Sequence, residues 1–295
     1  MEQTPPALPK LRVRLDPLND YLFLKVMGEK GDEEQLLGFL NAVLKGPLRR
    51  RVAGKGRIIS VEILENKTFT AEVIGDKSSI LDIRAVLEDG SRVNIEVQLR
   101  NLGNMDRRSL FYWSREYIRS LEAGRNYEEL PNVVAINIVN FDFLPSMDFH
   151  TTFHLWEDRE KGLLLTDALE IHFLEMPKFK ALREKDIKNN ELHRWLAWLD
   201  RDSPRELVEE IVKMDNAIGK AEERAAYVSS DKEALRAYEM RQMALSDWTT
   251  ANNHARREGG EEKAAEIAQK LKAIGISISQ IVQFTGLTED QIRKL

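Results

Sequence analysis

Asp82, Glu96 and Gln98 are the side chains of this chain best placed to do chemistry together. The stretch from Ser78 to Arg100 reads as two strands and a tight turn. Ile80 to Leu87 is apolar and β-branched, Asp89-Gly90 carries the hairpin signal, and Arg92 to Leu99 alternates. Ile95, Val97 and Leu99 then share one face, and Asn94, Glu96 and Gln98 share the other. Asp82 lies near the start of the first strand and, depending on register, faces Glu96 and Gln98 across the ladder. Two carboxylates and an amide on adjacent strands make an oxygen-rich corner. Such a corner suits a hard divalent cation, above all Mg²⁺, which takes one or two carboxylates and keeps several waters for phosphate oxygens. A solvated hairpin face carries the same pattern, so spacing alone leaves both readings open.

The elements that must position this corner follow from the pattern on either side. Residues 1–14 hold three Pro and no periodicity, and are expected to be a flexible lead-in. Asp16-Pro17 signals a helix start with Asp16 as cap, and Leu36 to Leu44 a second helix. Residues 45–57 are rich in Gly, Pro and positive charge. They suit a basic loop over a phosphate backbone, with Arg49, Arg50 and Arg51 as contacts, or equally a solvated loop. Ile58 to Leu64 is the first expected strand. Asn104 to Leu121 is an expected helix whose packing side is Leu110, Ser114, Tyr117, Ile118 and Leu121. Its other side carries a stripe of Arg108, Tyr112, Arg115 and Arg119, suited to phosphate contacts and base or sugar stacking. The same stripe also fits an amphipathic helix whose Tyr completes the core edge.

Val133 to Val139 is strongly apolar and is expected to be a central strand. Phe149 to Trp156 and Leu169 to Leu174 are two more strands. His150, His154 and His172 lie on them without a partner at ligand spacing and are expected to be structural hydrogen-bonders. From Asp186 onward the pattern is helical, with Trp195 and Trp198 as core anchors and a break at Arg256 to Gly260. Ser277 to Leu295 forms a helix, a Gly-containing turn and a helix, with Thr288 opening a capping box. The acids Glu289 and Asp290 make that last helix a poor reader of a DNA groove, so packing or oligomerisation is its expected role.

Composition narrows the class. The chain has 295 residues, 32% of them charged, and its formal net charge is −5, which by itself argues against a nucleic-acid partner. Charge is uneven, however, and local patches decide. From Ala42 to Arg57 there are six basic residues and no acid, and six Arg fall between Arg100 and Arg125. The absence of Cys excludes disulfides and thiolate metal sites. No apolar run approaches the roughly 18 to 20 residues of a membrane span, and the N-terminus has no signal-peptide core, so no membrane and a cytoplasmic location are expected.

Five segments in order carry a resemblance: Asn-Asp-Tyr-Leu-Phe-Leu-Lys (19–25), Ser-Ile-Leu-Asp-Ile-Arg (79–84), Asn-Ile-Glu-Val-Gln (94–98), Arg-Arg-Ser-Leu-Phe-Tyr-Trp-Ser (107–114) and Leu-Glu-Ile-His-Phe-Leu-Glu-Met-Pro-Lys-Phe (169–179). Together they resemble the Rpn family of recombination-promoting nucleases, also called PD-(D/E)XK nuclease family transposases. The resemblance runs from about Leu15 to the C-terminus. It implies an α/β (α+β) fold, a restriction-endonuclease-like mixed sheet flanked by helices and followed by a mostly helical C-terminal region. The expected division is a nuclease-like domain at 15–180, a helical extension at 181–258 and a helical tail at 259–295. Asp82 is implied as first metal carboxylate, Glu96 as second, the Val97 carbonyl as a further ligand, and Asp20 as a third acidic contributor. Gln98 stands where most of the superfamily has Lys. It cannot supply positive charge, and is left to orient the attacking water or a phosphate oxygen. The implied activity is Mg²⁺-dependent DNA endonuclease, with Mn²⁺ able to substitute, in recombination, mobile DNA or defence. DNA is the implied partner, and the helical C-terminal region is expected to self-associate. The acidic total charge and Gln98 keep a second reading open, a non-catalytic DNA-binding or self-associating protein on the same fold.

Overall fold

The Asp89-Gly90 turn forms as the sequence predicts, with Gly90 at φ 84° joining two antiparallel strands. The computed structural model describes residues 14–45, 57–64, 82–121 and 126–295. Its strands are β1 (Val61–Ile63), β2 (Ile83–Leu87), β3 (Arg92–Gln98), β4 (Val133–Val139), β5 (His150–Trp156) and β6 (Leu164–Glu175). They make one mixed sheet in the order β1-β2-β3-β4-β6-β5. The β3–β4 and β4–β6 pairs are parallel, and the others antiparallel. β4 is central and buried along its whole length, Asn137 included, as its strongly apolar sequence requires.

The helices are α1 (Asp20–Met27), α2 (Glu34–Val43), α3 (Met105–Arg119), α4 (Met176–Lys180), α5 (Glu191–Leu199), α6 (Arg205–Met214), α7 (Asn216–Ser230), α8 (Lys232–Ala273), α9 (Ile278–Thr285) and α10 (Glu289–Lys294). By packing, the chain divides into two compact units, Met1–Arg241 and Gln242–Leu295. In the first, the main core joins Val93, Ile95, Val97, Val134, Ile136 and Ile138 of the sheet to apolar residues of α1, α2, α5, α6 and α7. Trp195 and Trp198 are its largest members and pack edge to face on one another. The opposite face of the sheet carries α3, with a smaller apolar cluster that includes Met105, Ala135, Ile171 and Phe173.

The start of this unit is tied to its end. Arg14 donates to the carbonyls of Trp198 and Asp200, the Tyr238 hydroxyl accepts from the Asp16 amide, and Arg241 grips the Asp20 carboxylate. In the second unit Ala268, Ile281, Leu287 and Ile292 form a separate small core. Gly286 at φ 71° caps α9, and the Thr288–Gln291 capping box opens α10.

Several boundaries differ from the sequence reading. The cap of α1 is Asn19, whose side chain accepts from the Tyr21 and Leu22 amides, while Asp16 closes a turn just upstream by accepting from the Leu18 amide. β1 covers only the end of the stretch expected as a strand, and β6 begins five residues earlier than expected because it pairs with β5 out to Trp156. Arg256 to Gly260 do not break the last long helix: α8 runs through them. Two glycines cost roughly 1 kcal/mol each in a helix interior, too little by themselves to end one that continues on both sides.

Candidate active site

β2 and β3 pair with Ile83 opposite Ile95 and Arg84 opposite Asn94. The next step outward sets Asp82 beside Glu96. Facing is fixed by the contacts of α3. Arg84 makes a two-pronged ion pair with Glu116 of α3 at 2.6 and 2.8 Å, and Arg108 of α3 binds Glu96. Asp82 and Arg84 share one side of β2, as Asn94, Glu96 and Gln98 share one side of β3. Both carboxylates therefore lie on the face beneath α3.

Burial dominates their electrostatics. It pushes the Asp82 carboxyl above its ordinary value, against its own backbone amide and the positive fields of Arg115 and Arg84. The Glu96 carboxyl is also raised by burial, against its hydrogen bonds from Arg108, with the Asp82 charge adding to the rise. Tyr112 lies among these groups, its hydroxyl raised by burial and then acted on by Arg108, Glu96, Asp82 and Arg115. The guanidinium groups of Arg108 and Arg115 sit 5.1 and 5.7 Å from its ring centre.

This arrangement inverts the expected orientation of α3. Leu110 and Ile118, expected to pack, are 50% and 71% exposed, whereas Met105, Ser109 and Glu116 are buried. The reason lies in the sheet beneath. Asp82, Arg84, Asn94 and Glu96 make that face polar, so Arg108, Tyr112 and Arg115 turn inward to meet it, while Arg119 at the end of the stripe stays exposed. Ser109 completes the seam by hydrogen bonding to Asn137 at 3.1 Å, and the Trp113 indole donates to the Val133 carbonyl at 2.9 Å.

The other expected site residues are placed as follows. Gln98 lies on the Glu96 face and its amide nitrogen donates to the Arg100 carbonyl at 3.2 Å. The Val97 side chain joins the main core on the far face. Asp20 opens α1, which packs on that far face, and its carboxylate is held by Arg241 at 2.6 to 3.2 Å. Arg115 belongs to the corner, and its Nε is buried without a hydrogen-bond partner. Arg119 reaches Glu116 at 3.6 Å. Arg49, Arg50 and Arg51 lie outside the described residues. Among the described residues, no group of three or more acidic or imidazole side chains is arranged to hold a metal ion.

A divalent cation fits the donor set in kind. Asp82 and Glu96 are hard oxygen ligands on one face, and the buried side-chain amide oxygen Oδ1 of Asn94, one alternation along β3, has no hydrogen-bond partner. Two protein carboxylates with the remaining positions left to water and phosphate oxygens is the usual arrangement for Mg²⁺.

One cluster escaped the sequence reading. His150 Nε2 and His172 Nδ1 are 2.9 Å apart, and His172 Nε2 meets Glu170 at 2.6 Å. His154 lies 3.9 Å from the same carboxylate. These residues are not isolated, because Thr152 pairs with His172 across the β5–β6 ladder and brings both histidines of β5 to one side. The alternation of each strand was visible in sequence; their register was not.

A family model described as PD-(D/E)XK nuclease family transposase matches residues 17–255. No curated protein and no solved structure matches the chain.

Proposed function

The chain belongs to the PD-(D/E)XK nuclease family transposases, and from that membership and the carboxylates beneath α3 we propose that it is a metal-dependent DNA endonuclease acting in recombination, on mobile DNA or in defence. Members of this superfamily generally use divalent metal ions. The observation that carries the reading is the register of β2 and β3, which sets Asp82 beside Glu96 on a face lined by arginines. Asp82 and Glu96 would hold Mg²⁺, with Mn²⁺ able to replace it and the Val97 carbonyl as a further ligand. When bound, the ion lowers the pKa of a water and offsets charge on the scissile phosphate. Gln98 would orient the attacking water, through a hydrogen bond accepted by its amide oxygen, or a phosphate oxygen, through one donated by its amide nitrogen, and would add no positive charge. Arg115, with a buried donor lacking a partner, supplies a phosphate contact beside Tyr112, whose ring offers a stacking face. Asp20 would join the site only by leaving Arg241. Arg49, Arg50 and Arg51 would add backbone contacts that salt screens. Self-association through the helical C-terminal region is part of the same proposal.

A second reading is favoured by one contact. Arg108 already neutralises Glu96, and with Gln98 in place of Lys the corner suits a DNA-binding protein without catalysis. Plasmid nicking in Mg²⁺ or Mn²⁺ separates the two. Wild type should nick, while Asp82→Ala and Glu96→Ala should lose at least about a hundredfold in rate, as removal of a charge-stabilising group does. Equal nicking by all three would mark a contaminant. Tight DNA binding by a wild type that does not nick would select the second reading.

A further inference from the structure

Arg108 stands where a cation would. Its Nε donates to Glu96 Oε1 at 2.8 Å and its Nη2 bonds the same oxygen, so one carboxylate oxygen takes both prongs. Glu96 is 2% exposed, while the Arg108 side chain is 20% exposed and lies along the Tyr112 ring. The carboxylate has nowhere to go, and the guanidinium does. Among the described residues, the acids beneath α3 are already matched without any ion: Asp82, Glu96 and Glu116 stand against Arg84, Arg108 and Arg115, with Arg119 also reaching Glu116. Adding a divalent cation to a balanced, desolvated set is unfavourable unless a positive group leaves. Arg84 is fixed in two-pronged contact with Glu116, which leaves Arg108 as the group in direct contact with a proposed ligand.

We propose that Arg108 is a displaceable counter-ion: it holds Glu96 in the ion-free protein, is expelled from Glu96 when a divalent cation enters, and turns along Tyr112 to take a DNA phosphate. The proposal rests on the reading of Asp82 and Glu96 as the ion site. It follows that the ion alone binds weakly, because it must separate a buried ion pair and leave a guanidinium without a partner. With DNA present the released arginine gains a phosphate, so ion and DNA favour one another, each by the same factor.

Mn²⁺ binding to the full chain, read from the electron paramagnetic resonance signal of free Mn²⁺, tests this without relying on cleavage. Without DNA, Arg108→Gln should bind Mn²⁺ about tenfold more tightly than wild type, and a duplex with uncleavable phosphorothioate linkages should tighten wild type by a similar factor but not the variant. Equal Mn²⁺ affinity for wild type and Arg108→Gln overturns the counter-ion role while leaving the ion site standing. No Mn²⁺ binding by either protein, or binding that survives Asp82→Asn with Glu96→Gln, overturns the ion site itself. The wild type alone supplies a further readout should the variant fold poorly. The Arg108 Nε–H resonance should move when Mg²⁺ and duplex are added together, and an unmoved resonance overturns the proposal.

Discussion

Burial, with the neighbouring His172 charge adding to it, holds the His150 imidazole neutral down to about pH 4, against an ordinary value of 6.5. The folded pKa is the lower one, so on acidification the unfolded chain takes up this proton first. Stability is therefore complete above pH 6.5 and drains away as pH falls toward 4, by up to about 3 kcal/mol. Glu170 opposes the effect, and His154, depressed in the same direction by burial, adds to it. Urea midpoints measured between pH 7.5 and 4.5 should fall less steeply for His150→Asn than for wild type; parallel slopes would mean that His150 is not the group responsible. Single residues differ in how much of this sequence alone discloses. The pairing of Asp82 with Glu96 is partly legible, because an Asp-Gly turn limits the registers that its own hairpin can take, and the ladder then selects one. The bond from Arg108 to Glu96 is not, because it depends on which way a separate helix rolls, and neither is the Asp20–Arg241 pair, whose members lie 221 positions apart.

Gly38 illustrates a constraint between elements. A Cβ built there would come within 2.5 Å of the Ala217 Cβ on α7 and 3.3 Å of the Trp195 ring on α5, so the glycine allows α2 to approach both closely. Gly38→Ala should cost about 1–3 kcal/mol through overpacking, although alanine is the better helix former. Thermal unfolding checks the sign, and a stabilised variant would mean that the helices part at little cost. Elements with one dominant cause match the sequence reading: β4 ends where its apolar run ends, and α10 starts at its capping box. Those set by a balance do not. For α3 the residues Leu110, Ser114, Tyr117, Ile118 and Leu121 suggested one packing side, but the polar sheet beneath it attracts the arginine side instead. A hydrophobic pattern fixes the inner face of a helix only when the surface that receives it is also apolar.

At the scale of the whole molecule, two units with their own cores should differ in stability. The first has a large aromatic and aliphatic core, and the second rests on four small or medium buried residues. Amide hydrogen exchange should show protection in Gln242–Leu295 that is lower than in β3 and β4 and is lost first in mild denaturant. Ile281→Ala should remove the protection of α9 and α10 while leaving that of β4 intact, and simultaneous loss in both would make the chain one cooperative body. No helix among the described residues is long and apolar enough to cross a membrane. Synthesis from the N-terminus gives the seam between the first residues and Tyr238 and Arg241 a further meaning. A ribosome releases Asp20 221 positions before the guanidinium that will hold it, so the acid of α1 stays unmatched until Arg241 of α8 has emerged. A nascent chain halted before Arg241 carries every described strand of the sheet and the helices that bury the apolar side of α1, but not the clasp on its first acid.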